Sequence, residues 1–289
     1  MLMKFRKSHP IWFSVVAAIL FMVFGMLLGY LVVTIIPALK NDGNEFALTF
    51  AVELLTALLM VLLLRLHHRT ELVTRRGSSF KNCFFVCLVP LLFNLVSFVA
   101  QIVQAVQDHT PVNPASTILF YVLAMVAVGI AEEFMARAII SETLLEHFGT
   151  DSLGSVWKAA VVSGLIFGLL HLANLMSVNS VKGVLIQALS AFAGGLMYAA
   201  VYYRTGNIWA PALLHALNDV GAGLSAGVFT YESGMMSSIE GLEGADWLIL
   251  LVPLRELLIA AFLLRKQKLP QLQQCWTGLM ESKEVSEKE

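Results

Sequence analysis

The sequence predicts an all-α, polytopic transmembrane helix bundle of about eight spans with both termini in the cytoplasm, and three observations carry that prediction. Hydrophobic residues make up 58% of the 289-residue chain and charged residues only 13%, with a mean hydropathy of +0.77. A chain so poor in charge cannot clothe a soluble core, so its solvent is lipid. Its apolar residues are gathered into runs of roughly 20, the helix length that crosses a bilayer's hydrocarbon core. Lysine and arginine, finally, are concentrated in alternate connections between those runs.

The first run, 11–36, follows Lys4, Arg6 and Lys7. It is longer than a signal-peptide core and has no small-residue cleavage pattern before Pro37, so it reads as a retained helix entered from the cytoplasm. The second run, 46–65, leads into a connection holding Arg65, Arg69, Arg75, Arg76 and Lys81, again cytoplasmic. The third, 82–106, carries Cys83 and Cys87 one helical turn apart; three cysteines cannot all pair, and this is not a zinc-type spacing. Runs at 115–145, 156–176 and 181–203 follow, with Arg204 at an inner end. The run at 207–227 precedes an acidic connection (Glu232, Glu240, Glu243, Asp246) assigned to the outside. The last, 245–265, ends at Arg265, Lys266 and Lys268, inside. Helix is the only open-chain conformation that satisfies every backbone N–H and C=O within its own segment in hydrocarbon.

Nothing resembling a linker, a low-complexity tract or a repeat interrupts these runs, so residues 1–289 are expected to form a single membrane domain. A tail over 266–289 of mixed sign (Glu281, Lys283, Glu284, Glu287, Lys288, Glu289) is expected to be solvated and poorly ordered. Gly25 with Gly29, and Gly164 with Gly168, form small-xxx-small pairs expected at helix contacts, and Ala193, Gly194 and Gly195 give the sixth span a bare face. The net charge of -1 gives no field for nucleic acid; the expected partners are the bilayer and a peptide or protein substrate within it.

Charge at bilayer depth costs a few kcal/mol per residue on the most lenient scale, about 2.5–3.5, so ionisable groups within spans are functional candidates. They are concentrated on three spans: Glu132, Glu133 and Arg137; Phe167 and His171; His215 and Asp219. Glu133 and Arg137 are four apart and face each other along one helix. Glu132, about 100° around the helix, is left for a different wall. His215 and Asp219 also stand one turn apart, so the carboxylate can fix the imidazole or share a ligand with it. Two imidazoles and a carboxylate without a local cation are what water activation requires: a general base and a group to polarise a carbonyl. They are also a ligand set, Glu132, His171 and His215, for a catalytic Zn²⁺ with one open position. No serine or cysteine is placed as a better nucleophile: Ser163 has no base at i+4, and Cys83 and Cys87 lie on a different span. Peptide hydrolysis is the reaction class this set suits.

The three segments together resemble the CPBP family of intramembrane proteases, which includes the type II CAAX prenyl endopeptidases and bacteriocin-immunity relatives. EExxxR is met by Glu132, Glu133 and Arg137, FxxxH by Phe167 and His171, and HxxxN/D by His215 and Asp219, in order and on separate spans. The resemblance covers about 115–225. It implies an endopeptidase in which Glu132 activates water beside His171, while His215 and Asp219 complete the site and stabilise the oxyanion, with Glu133 in the catalytic set and Arg137 and Phe167 in support. Prenyl endopeptidases carry asparagine where this chain has Asp219; an ionised aspartate suits a metal ligand or imidazole orienter better than an oxyanion donor.

Two other readings keep the same helices. A catalytically silent relative would act as a membrane regulator or immunity partner, and a cation transporter would also place carboxylates and histidines in spans, though with matching broken-helix halves that this sequence lacks. The protease reading expects a cell-membrane protein with its cavity opening toward the cytoplasm. Counted from the inner ends, His215 lies about 12 Å deep and His171 about 20 Å, a gap the fold must close. Glu53 is expected near the outer interface, away from the site.

Overall fold

The computed structural model describes residues 2–41, 43–66, 69–74, 77–230 and 236–276. Regular structure among them is helical, and a lone antiparallel bridge between Val112 and Phe229 is the one β-like pairing among the described residues. A short amphipathic helix α1 (Leu2–Ser8) leads into α2 (Pro10–Ile35), α3 (Glu45–Leu66) and α4 (Phe80–Gln107). Then come α5 (Ala115–Glu133), a π-helical stretch over Phe134–Ser141 and α6 (Glu142–Phe148), which together make one long span. The rest is α7 (Leu153–Leu170), a 3-10 turn over His171–Met176, α8 (Val181–Thr205), α9 (Trp209–Ala222) and α10 (Leu251–Leu263).

Burial sorts these helices into two shells. The most apolar stretch of α2 is only 11% buried, and it exposes Leu20, Leu27 and Tyr30 as a lipid-facing helix does; the corresponding stretch of α8 is 56% buried. The core is built on α8, whose Leu196, Tyr198, Tyr202 and Tyr203 pack with Phe134 and Met135 of the π-helical stretch and Val156, Ala159 and Ala160 of α7. Glycines make the closest approaches. A Cβ on Gly164 would lie 2.9 Å from the Phe192 carbonyl oxygen, and one on Gly168 2.7 Å from that of Ala188, so only glycine permits the α7–α8 contact. Gly25 behaves otherwise: a Cβ there would meet nothing within 4 Å, and Gly29 would touch only Val52 at 3.9 Å. That pair does not seat a helix; it leaves a gap beside α3.

Six helices among the described residues are long and apolar enough to cross a membrane, or seven if Trp247–Leu263 and Lys266–Trp276, bent by 51°, form one span. The remaining apolar run is α9, whose 14 residues rise about 21 Å at 1.5 Å each, short of the ~30 Å hydrocarbon core. One face of it is packed in protein, with Leu214, His215 and Ala216 buried, while Leu213 and Leu217 on the other face are exposed. Gly206, at φ +59°, ends α8 in the left-handed conformation and turns the chain into α9.

Part of the tail differs from expectation. Lys266–Trp276 fold back on the bundle, with Leu272 and Trp276 buried and the Trp276 indole donating to the Tyr203 carbonyl at 2.9 Å. Residues from 277 on, with Glu281, Lys283, Glu284, Glu287, Lys288 and Glu289, lie outside the described residues, as do Arg75, Arg76 and Glu232.

One end of the bundle is tied by charge. Arg6 donates to the Thr143 hydroxyl at 2.8 Å and pairs with Glu146, while Arg69 pairs with Glu142, with Glu71 at 3.1 Å and with Glu146 at 3.6 Å. Burial alone would lower the Arg69 pKa, but the carboxylates of Glu142, Glu146 and Glu71 outweigh it and raise the value above that of a free arginine. Phe46 packs edge-on against Tyr121 at the other end of the same two helices, so α3 and α5 run parallel with residues 46 and 121 in register.

Candidate active site

The site begins with a close approach that the motif spacing does not contain. A Cβ on Gly129 of α5 would lie 2.7 Å from the Ala216 nitrogen and 2.9 Å from the Ala212 oxygen, so α9 rests directly on the α5 backbone. That contact carries His215 to the glutamates one turn further along α5. Its Nδ1 lies 3.1 Å from the Glu133 Oε1, and its Nε2 faces Glu132 Oε2 at 3.8 Å and Asp219 Oδ2 at 3.5 Å.

Glu133 and Arg137 are both fully buried. The Arg137 Nε donates to Glu133 Oε2 at 2.6 Å and Nη2 to Oε1 at 3.2 Å, the two-pronged geometry that a guanidinium offers a carboxylate. The remaining nitrogen, Nη1, donates to the Gly195 carbonyl at 2.9 Å and to the hydroxyls of Ser141 and Ser163 at 3.3 and 3.4 Å. The π-helical stretch holds Arg137 and Ser141 together on the inside of the bundle; such widened turns occur mostly at functional sites. Arg137 thus joins α5, α7 and α8, and Glu133 passes that fixed position on to His215. An ionised carboxylate only accepts, so His215 Nδ1 donates to Glu133 and Nε2 is left for the cavity.

His171 solves the depth problem by position. The helix α7 stops at Leu170, and His171 is its C-cap, with Nδ1 2.9 Å from the Phe167 carbonyl oxygen. A carbonyl only accepts, so Nδ1 carries the proton and Nε2 presents a lone pair. The Phe167 ring bridges the two histidines, 4.9 Å from the His171 ring and 5.8 Å from that of His215. On its other side His215 stacks against Tyr198, centroids 4.8 Å apart and planes 22° from parallel.

Glu132, His171, His215 and Asp219 line one cavity of about 510 Å³. Glu133 is not among the lining residues and stands behind His215. Walls come from Met22, Gly25, Met125, Val128 and Phe167, and the gap beside Gly25 is part of this space. Two groups were not among the expected site residues. Glu53 of α3 lines the same cavity rather than an outer interface, and Tyr121 donates to the Val220 carbonyl, fixing the end of α9 that carries Asp219. A carboxylate in mid-span was the available signal for Glu53; nothing in the sequence marks Tyr121.

From Glu132 and Met135 the cavity runs past Glu53 and Tyr121 to half-buried Gly223 and Met236 and exposed Ser177. All of these lie at the end opposite the Arg6 and Arg69 cluster. The sequence alone leads to the opposite expectation, a mouth at the basic end.

As metal ligands, Glu132, His171 and His215 are the donor types that zinc takes, and each imidazole is tied through Nδ1 as metal-bound histidines are. Among the described residues, however, no three histidine, cysteine, aspartate or glutamate side chains converge closely enough to hold a metal ion. The fit is one of donor chemistry and not of geometry.

Residues 114–221 match the family described as Type II CAAX prenyl endopeptidase Rce1-like. The matched stretch runs from the start of α5 into α9, so it contains Glu132, Glu133, Arg137, Phe167, His171, His215 and Asp219 and excludes α2, α3, α4 and α10. The match falls on the segment that carries all three motifs, and the long apolar helices are those of a multi-pass membrane protein. No curated protein matches the chain, and no solved structure does.

Proposed function

We propose, taking as premise that residues 114–221 are of the type II CAAX prenyl endopeptidase kind, that this protein hydrolyses a peptide bond of a membrane-associated or lipidated substrate in the cavity between α5, α7 and α9. The observation that carries the proposal is the division of labour between two adjacent glutamates. Glu133 is held on Arg137 and His215, whereas Glu132 has no hydrogen bond among the described residues, approaches His215 at 3.8 Å and lines the cavity. A buried pair is structure; a cavity-facing carboxylate beside two oriented imidazoles is a base awaiting a substrate.

In this reading a water enters between Glu132 and the Nε2 lone pair of His171. Glu132 accepts a proton as the water oxygen adds to the scissile carbonyl carbon, and the carbonyl oxygen becomes an oxyanion on the side of His215 Nε2. The C–N bond then breaks as the proton held by Glu132 passes to the leaving nitrogen. Asp219, 3.5 Å from the same Nε2, orients His215. A carboxylate at that position does not itself donate to an oxyanion, which places oxyanion stabilisation on His215 as an imidazolium, with Nδ1–H on Glu133 and Nε2–H on the oxyanion. A metal bound by Glu132, His171 and His215 would add Lewis-acid polarisation; no step above depends on one. The positive-inside rule, with Arg6 and Arg69 at the cytoplasmic end, supports a cavity facing away from the cytoplasm in the cell membrane.

The test is cleavage of a panel of prenylated and unprenylated peptides by the purified protein in detergent, with and without chelator. Cleavage that survives the chelator and disappears in Glu132→Ala matches the reading. Loss on chelation adds a metal to it. A Glu132→Ala variant that cleaves as well as the wild type overturns it and leaves the regulator reading.

A further inference from the structure

The mechanism uses Glu132, His171, His215 and Asp219 and leaves one ionisable group in the cavity without a task. Glu53 comes from α3, outside the matched stretch. Its Oε2 is fully buried with no hydrogen-bond partner among the described residues. A carboxylate carried into a span without a cation is costly, and such groups mark the path or binding place of a ligand.

The register of α3 and α5 locates it. Phe46 is level with Tyr121, and further along the same pair Arg69 is level with Glu142. Glu53 is seven residues beyond Phe46, while Glu132 is eleven beyond Tyr121. Glu53 therefore stands about four residues, or roughly 6 Å at 1.5 Å per residue, from Glu132 toward the mouth. The charges of the lining complete the picture. The cavity presents three carboxylates (Glu53, Glu132 and Asp219) and two imidazoles, with no lysine or arginine among the described lining residues. Arg137, the nearest guanidinium on α5, is turned away and bound by Glu133, Gly195, Ser141 and Ser163.

We infer that Glu53 is a specificity-determining residue of this cavity, binding a lysine or arginine side chain of the substrate peptide about two residues from the bond that is cut. The spacing follows from an extended peptide, which advances about 3.3 Å per residue, so that roughly 6 Å from Glu132 corresponds to two positions. The inference rests on the peptidase reading of the site for its distance from the cut and on the cavity alone for the cation. A cationic side chain supplies what the lining lacks: a charge for Glu53 and a donor for its unpartnered oxygen.

The experiment uses the full chain in detergent and one peptide with lysine, norleucine or glutamate scanned through the positions on either side of the cut. Wild type is expected to favour lysine over norleucine at one of them by roughly 10- to 100-fold in kcat/KM, the range that a hydrogen bond to a charged group supplies. Glu53→Gln, which keeps the shape, is expected to bring that ratio near one through KM, and Glu53→Lys to turn the preference toward glutamate. A wild type indifferent to charge at every scanned position, or a preference that survives Glu53→Gln, overturns the inference. The same peptides, fluorescently labelled, are titrated against Glu132→Gln protein with and without Glu53→Gln. If wild type cuts nothing, the peptidase reading fails on its own, and the lysine preference in binding decides the role of Glu53 by the same ratios.

Discussion

Replacing Arg137 with leucine removes the cation from a fully buried pair and leaves Glu133 charged among apolar neighbours. Breaking a buried pair from one side costs about 3–5 kcal/mol, and the Gly195 carbonyl and the two serine hydroxyls lose their donor as well. At about 1.4 kcal/mol per tenfold, the folded-to-unfolded ratio should fall by roughly two to three and a half orders of magnitude. Glu133→Leu combined with Arg137→Leu removes both charges and should recover most of that loss, since an apolar pair of similar volume is tolerated where a lone charge is not. Activity should not return with it, because His215 then has no acceptor for its Nδ1 proton. Equilibrium unfolding in mixed micelles reads the first quantity, and peptide cleavage at a temperature where both proteins are folded reads the second. A single Arg137→Leu variant as stable as the wild type would refute the buried-pair account; a double variant with full activity would refute the role of Glu133 in holding His215.

Other expectations follow from single contacts. Gly168→Ala pushes a methyl group to within 2.7 Å of the Ala188 oxygen; overpacking of this kind costs about 1–3 kcal/mol, and the variant should lose cleavage out of proportion because His171 caps the same helix. Trp276→Ala removes a buried ring and its bond to the Tyr203 carbonyl, so thermal denaturation in detergent should show a loss of about 3–5 kcal/mol; an unchanged midpoint would mean that the tail does not dock. Ser177→Cys, at the exposed mouth, should be labelled by a membrane-impermeant thiol reagent from outside intact cells, and labelling only after lysis would reverse the assignment of sides.

The fold was legible where lipid dictates it. Long runs of apolar residues at 10–35, 45–66 and 80–107 can do little else than form helices. It was less legible where protein replaces lipid around an element. The run at 207–227 reads as a span from composition, yet it folds as a 14-residue helix too short to cross the hydrocarbon core. The early part of the tail, with two lysines and four glutamines, reads as a solvated segment, and only the burial of Leu272 and Trp276 reveals that one side of it is covered. At the site, residue spacing correctly joined Glu133 to Arg137, because both lie on one helix. Contacts between helices carry no such spacing: the approach of α9 to Gly129, the stacking of Tyr198 on His215 and the entry of Glu53 from α3 depend on packing. The same limit explains Gly25 and Gly29, whose small-xxx-small spacing matches that of Gly164 and Gly168 but leaves Gly25 on the cavity and Gly29 in loose contact with Val52.

The most direct test compares wild type with Glu132→Gln, matched in thermal stability, on a prenylated peptide whose products are identified by mass. Glu132 makes no hydrogen bond among the described residues that its amide would break, so the account predicts an equally stable protein whose cleavage rate falls by roughly 10²–10⁴-fold, the share a general base contributes. Cleavage at an undiminished rate by the folded Glu132→Gln protein would contradict it.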